Sequence, residues 1–196
     1  MDNLYDLLKI VHIVSFVFMS IPLFNLIVVA ERGKMGAGFI YPIDRYTENI
    51  IAGGAPRCFV FQATVGITGV LLLVIGPLGI EALWTEWIIA TKILLLFVLI
   101  AMLSTVHFGI QPKIESLISD IDPGKPLSEE AASALNPLRA RRKKLAAFCL
   151  FIVLTIIVLG VQVYSTYSYL LTLILIFAAA LFARGAYKSG NPLGWV

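Results

Sequence analysis

An all-α bundle of membrane-spanning helices is the fold class this sequence predicts, and three observations predict it. Hydrophobic residues make up 59% of the 196 positions and charged residues only 14%, against roughly half and a quarter in an ordinary soluble domain. Mean hydropathy is +0.92. The apolar residues run on without the alternation a membrane β-barrel needs. A hydrocarbon core of ~30 Å takes ~20 apolar residues in a helix that rises ~1.5 Å per residue, and several such runs are present.

Five spans are expected in a single integral membrane domain, residues 1–196: four forming a core and one added. The first, 4–30, is too long for a signal-peptide core and is preceded by an acid and no base, so it reads as a retained helix. The second, 58–83, opens "CFVFQATVGITGVLLLVIG". The third, 87–110, is "WIIATKILLLFVLIAMLSTVHFGI". The fourth, 145–163, is "LAAFCLFIVLTIIVLGVQV", and the fifth, 169–187, is "YLLTLILIFAAALFARGAY". The polar-aromatic run "YSTYSY" divides the last two, because one unbroken helix of that length would overshoot the bilayer about twofold. Pro22 and Pro77 are expected to kink or end their helices.

The charges orient the bundle. Thirteen of the 15 Lys and Arg residues fall in the loops 31–57 and 111–144 or in the tail, all on one side of a five-span chain. The other two, Lys9 and Lys92, lie inside helices. Cytoplasmic loops carry the excess of Lys and Arg, so the N-terminus is expected outside and the C-terminus in the cytoplasm of a bacterial or archaeal inner membrane. Tyr5, Trp84, Trp87, Tyr164, Tyr167 and Tyr169 would form the outer aromatic belt.

Within the loops, "PIDRYTENII" is expected to lie on the inner membrane surface, with Pro42 in a first helical turn. "DPGKP" reads as a turn. "SEEAASAL" reads as a helix start with Ser128 as N-cap and acids in its first turn. The cluster "RARRKK", Arg139–Lys144, reads as a topology anchor touching anionic lipid. Cys58 and Cys149 form no spaced motif and signal neither metal nor disulfide. There is no G-x-S-x-G, no P-loop and no dinucleotide fingerprint. Nucleic acid is not indicated, since the bases follow the membrane edge.

Depth sorts the polar residues inside the spans. The chain has two histidines, His12 and His107. His12 is ~10 Å and Lys92 ~8 Å below the outer boundary, whereas His107 is ~30 Å down, at the inner boundary. A bis-histidine haem needs both imidazoles at one level, which this spacing excludes. A site with one histidine remains: His12 with Lys92 and Ser15 in the outer half, or His107 at the inner edge. Both histidines are thus candidate metal ligands, and both also have a plain reading as packed or interfacial side chains. Gly66, Gly69 and Gly76 in the second span would let helices approach closely or leave room for a flat cofactor.

The stretch "LYDLLKIVHIVSFVFMSIPLFNLIV" resembles the first helix of a superfamily of small membrane proteins. That superfamily includes the copper-resistance protein D family, the haem-containing membrane protoporphyrinogen oxidase, and an uncharacterised family of integral membrane proteins whose layout is the most similar. The resemblance rests on Lys9 and His12 as "K-x-x-H", on Trp87 and Lys92 in "WIIATK", on "QPKIESL", and on the basic opening "RARRKKLAAFCLF". It covers about residues 4–164. It implies a b-type haem on the helix-one histidine, His12, with Lys92 at the matching functional lysine. The oxidase signature is incomplete, with Ile89 where a histidine would stand, so the resemblance does not extend to that activity.

Three functions follow as expectations. The first is a haem b protein for electron transfer or porphyrin handling, with His12 and Lys92 at the cofactor and Ser15, Gly66 and Gly69 lining it. The second is a cofactor-free accessory subunit packed against other membrane subunits or a second copy. The third is transport of copper or another small solute; the soft groups copper needs are sparse, with Met19 on the face of His12 and Met102 deep in the third span.

Overall fold

The computed structural model describes residues 2–35, 38–119, 121, 128–163, 165 and 167–189, and among these every regular element is helical. Five helical stretches are long and apolar enough to cross a membrane, the make-up of an integral membrane protein. The expected turn at 122–126 and the belt residue Tyr164 lie outside the described residues.

The first span is two helices end to end, α1 (Asp2–Phe18) and α2 (Ile21–Lys34). The ladder tightens where they meet: the Met19 N–H donates to the Ser15 and Phe16 carbonyls at 3.0 and 3.1 Å. Pro22 then sits in the first turn of α2, where its missing N–H is no loss. The helix is thus interrupted at Met19–Ser20, just ahead of Pro22, where the sequence leads one to expect a kink or an end.

Helix α3 (Tyr41–Ile75) is 35 residues long, roughly 50 Å at ~1.5 Å per residue. It departs from expectation at both ends. "PIDRYTENII" is its opening three turns, not a separate surface helix. Its acids Asp44 and Glu48 are paired with arginines of other helices, so the segment stays in the bundle instead of peeling onto lipid. At the other end the helix stops at Gly76, ahead of Pro77, not at residue 83. Gly79 takes φ 74°, open to a residue without Cβ. One short turn, α4 (Ala82–Thr85), then leads to α5 (Trp87–Ser104).

Helix α5 runs into a π-helical turn, Thr105–Ile110, and then α6 (Gln111–Ser119). The third span thus passes the expected end at residue 110, and the loop from 111 begins as helix. Pro112 has no N–H for the Phe108 carbonyl, and the wide π turn stands directly before it, a common way to absorb such a defect.

Helix α7 (Glu129–Gln162) begins at Ser128, whose hydroxyl accepts from the Ala131 N–H at 3.2 Å. The expected cap is borne out, and the helix continues without a break into the fourth span. It ends at Gln162, and α8 (Tyr169–Ser189) follows, so the polar-aromatic run does divide the last two spans. Tyr167 ties the connection down by donating its phenol proton to the Val158 carbonyl at 2.6 Å.

Helix α7 is the hub, packed on α2, α5, α6 and α8, while α3 packs on α1, α2 and α5. The central core joins Met19, Cys58, Leu99, Cys149 and Ile152. A second cluster, Leu26, Leu150, Ala183 and Ala186, holds α2, α7 and α8 together; the alanines of α8 allow close approach. Large apolar side chains such as Leu94, Phe97, Leu173 and Phe177 are exposed, as lipid-facing positions require. The basic loops and the end of α8 share one end of the bundle, where Lys143 lies over the Tyr187 ring at 5.1 Å. Trp87 and Tyr169 meet at the opposite end with ring centroids 6.4 Å apart.

Candidate functional site

Helices α1 and α3 bring His12 and Thr68 together. His12 Nδ1 and Thr68 Oγ1 are 2.9 Å apart. The threonine hydroxyl already donates to the Thr64 carbonyl at 2.6 Å, so at the imidazole it acts as acceptor. With the hydroxyl proton so engaged, the matching tautomer has the proton on Nδ1 and the lone pair on Nε2. A hydrogen-bond acceptor on one ring nitrogen is the usual arrangement behind a histidine that ligates through the other.

The other predicted site residues divide between this place and others. Gly69 lies under the imidazole: a Cβ there would stand 3.3 Å from His12 Cε1. Gly76 is covered by the Tyr5 ring in the same way, and a Cβ on Gly66 would face Leu96 of α5 at 3.6 Å. At Gly69 and Gly76 the glycine face of α3 is occupied by side chains of α1. Lys92 is an electrostatic neighbour of His12, and its ammonium points toward Gly160 of α7. Ser15 is buried one turn along α1. Met19 is not with His12; it turns into the central core beside Cys58 and Cys149.

His107 stands apart, in the π turn, with its ring edge-on to Phe59 and Phe108. Its Nδ1 is buried without a hydrogen-bond partner. It lines a cleft of about 60 Å³ together with Asn25, Gln111 and Arg142. The two histidines meet different stretches of α3, His12 at Thr68 and Gly69 and His107 at Phe59.

The basic end carries an ion-pair network that the spacing of charges had not suggested as interior. Asp44 accepts from Arg32 at 2.6 Å, from the Ile40 N–H at 2.9 Å and from Arg139 at 2.9 Å. Glu48 accepts from Arg139 Nε at 2.9 Å and from both terminal nitrogens of Arg142, at 3.0 Å for Nη2. Arg142 also donates to Gln111 Oε1 at 2.8 Å. Arg142, Asp44 and Glu48 are all buried. Two of the six residues read as a lipid anchor, Arg139 and Arg142, thus face carboxylates, because acids one turn apart on α3 match bases three apart on α7. Arg141 and Lys144 remain exposed.

Comparison with protein-family models, with curated proteins and with solved structures finds no match.

Proposed function

We propose that this is a haem b protein of the bacterial or archaeal inner membrane, with His12 as the axial ligand near the outer face. The observation that carries this reading is the His12–Thr68 contact, which supports the tautomer in which Nε2 is free to ligate. The donor set fits a haem iron, for which a single protein histidine suffices. The enclosed space is a separate matter: the two cavities, about 60 and 20 Å³, lie toward the core and the basic end and are too small for the macrocycle. A haem held by His12 would therefore have to lie outside these cavities, with Thr68 and Gly69 setting the imidazole against α3.

The bound group would supply a one-electron couple whose potential follows from axial ligand and burial. The chain's own part is orientation and charge. Thr68 fixes the imidazole, Gly69 lets it lie close on α3, and Lys92 offers a cation to a propionate. The N-terminus outside and the basic end in the cytoplasm complete the reading, with Arg141 and Lys144 free for anionic lipid.

A second reading has its own observation. The glycines of α3 are filled by His12 and Tyr5, which is how a cofactor-free accessory subunit would use them. Absorption spectra of the detergent-solubilised protein, oxidised and reduced, separate the two. A b-type spectrum lost in His12→Ala and weakened in Thr68→Val, but kept in Thr68→Ser, supports haem. Colourless protein from a haem-replete host sinks the haem reading and leaves the subunit reading.

A further inference from the structure

The cleft at the basic end lies between α2, α3, the π turn and α7. Its volume is about 60 Å³, room for roughly four to six water-sized bodies at ~10–15 Å³ each. Most of its wall is apolar, with Leu26, Ile51 and Leu103 among the lining side chains. The rest is polar: His107 from the π turn, Gln111 from the start of α6, and Arg142 and Lys143 from α7. Two polar atoms here, His107 Nδ1 and Gln111 Nε2, are buried and have no hydrogen-bond partner. Gln111 is 8% exposed. Its Oε1 accepts from Arg142 at 2.8 Å. A guanidinium only donates, so the oxygen end of the amide faces Arg142 and the nitrogen end is the one left over. That nitrogen only donates as well, and His107 Nδ1 donates whenever it carries the ring proton. Folded chains rarely leave such atoms unsatisfied, and these two lie four residues apart across a π turn, a distortion frequent at functional sites.

We infer that this cleft binds a short aliphatic carboxylate, with its head on Gln111 Nε2 and His107 Nδ1 and its carbon chain against Leu26, Ile51 and Leu103. What the polar wall lacks is an acceptor, and a carboxylate supplies two acceptor oxygens and no donor. Charge agrees. Arg142 is already matched by the Glu48 carboxylate. Lys143 lies over the Tyr187 ring at 5.1 Å and meets no carboxylate among the described residues. One ligand anion balances that ammonium, whereas a cationic head would add to it. Size sets the length of the chain. Four to six water-sized bodies correspond to a carboxylate with a body of about one to three further carbons. The 20 Å³ cavity shares Pro22, Cys58, Leu103 and Cys149 with the cleft and extends it by about one more body. The site is inside the bundle, on other side chains than the exposed Arg141 and Lys144. It is separate from His12 and stands whether or not haem is bound.

The test is a calorimetric titration of the purified full-length protein in zwitterionic nanodiscs with sodium acetate, butanoate, hexanoate and octanoate, with sodium chloride as blank. One butanoate per chain is expected, bound about tenfold more tightly than acetate for its two added CH₂ groups. Affinity should level off by hexanoate. Butylammonium and 1-butanol should bind at least about tenfold more weakly than butanoate, having lost the charged hydrogen bonds. Gln111→Glu keeps the shape of the side chain and its contact with Arg142, but replaces the donor with an anion. It should weaken butanoate on the order of 100-fold, and Lys143→Gln on the order of tenfold. The lysine variant keeps the test sound if the glutamate variant misfolds. His12→Ala should bind as the parent chain does. No heat with butanoate, equally tight butylammonium, affinity that keeps climbing through octanoate, or undiminished binding by a folded Gln111→Glu protein would overturn the assignment. So would displacement of butanoate by anionic phospholipid added to the nanodisc, which would give the cleft to lipid headgroups.

Discussion

Glu48 and Arg142 stand 94 positions apart in the chain and meet as a two-point pair, both carboxylate oxygens engaged by the terminal nitrogens of one guanidinium. Arg139 holds the same carboxylate through Nε and reaches Asp44 with Nη1. Helices α3 and α7 are thereby locked at the basic end. Removing Glu48 leaves the buried Arg142 without a carboxylate, at about 3–5 kcal/mol, whereas removing Arg142 leaves Glu48 its bond to Arg139 and should cost less. Arg142→Met or Glu48→Leu alone should each lower the thermal unfolding midpoint in detergent. The double variant should be less destabilised than the sum of the two. Additive losses would show that the pair contributes nothing of its own.

This network also marks the limit of what the sequence made legible. The five apolar stretches, the break at the polar-aromatic run, the Ser128 cap and the helix break ahead of Pro22 all rest on local signals: run length, a hydroxyl at the start, a missing N–H. Each survives in the structure. Asp44 and Glu48 were read with their own loop because nothing local says that they face α7. Their spacing of four, against three between Arg139 and Arg142, is the one signal that would have paired them. The meeting of Met19, Cys58 and Cys149 in the central core has no local signal at all. Cys58 and Cys149 are brought together only by the packing of α3 on α7's neighbours, and Met19 only by the break between α1 and α2. For the histidines, depth counted along the helices predicts separate levels, and their contacts on α3, Thr68 for His12 and Phe59 for His107, were not readable from α1 or α5.

Glycines of α3 should respond in opposite directions. A Cβ at Gly53 meets nothing within 4 Å, whereas one at Gly76, the residue that caps α3, would press on the Leu72 carbonyl oxygen and stand 2.7 Å from the Tyr5 ring. Alanine gains ~1 kcal/mol over glycine in a helix interior. Gly53→Ala should therefore raise the unfolding midpoint, and Gly76→Ala should lower it. A neutral or stabilising Gly76→Ala would mean that Tyr5 does not pack on α3 as described.

A phenol helps to hold the turn between α7 and α8. Tyr167→Phe removes the 2.6 Å bond to the Val158 carbonyl and leaves the ring in place. A net loss of ~0.5–1.5 kcal/mol is expected for such a bond. Hydrogen exchange at the end of α7 should accelerate, while the amides of α3 keep their protection. Uniform acceleration across the protein would instead assign the bond to global stability.

The proposed orientation places the end where the bases gather in the cytoplasm. Arg32, Asp44, Glu48, Arg139 and Arg142 interlock at one end of the bundle, and Trp87 and Tyr169 meet at the other. The five-span arrangement puts the α4 turn at the aromatic end and the end of α6 at the basic end. Lys and Arg are retained in the cytoplasm. A phosphatase that works only outside should be active when fused after Thr85 and silent after Ser119 or Lys188. A fluorescent protein that matures only in the cytoplasm should give the reverse. Activity after Ser119 with silence after Thr85 would invert the bundle and move His12 to the cytoplasmic half, and with it the face at which any electron donor would have to dock.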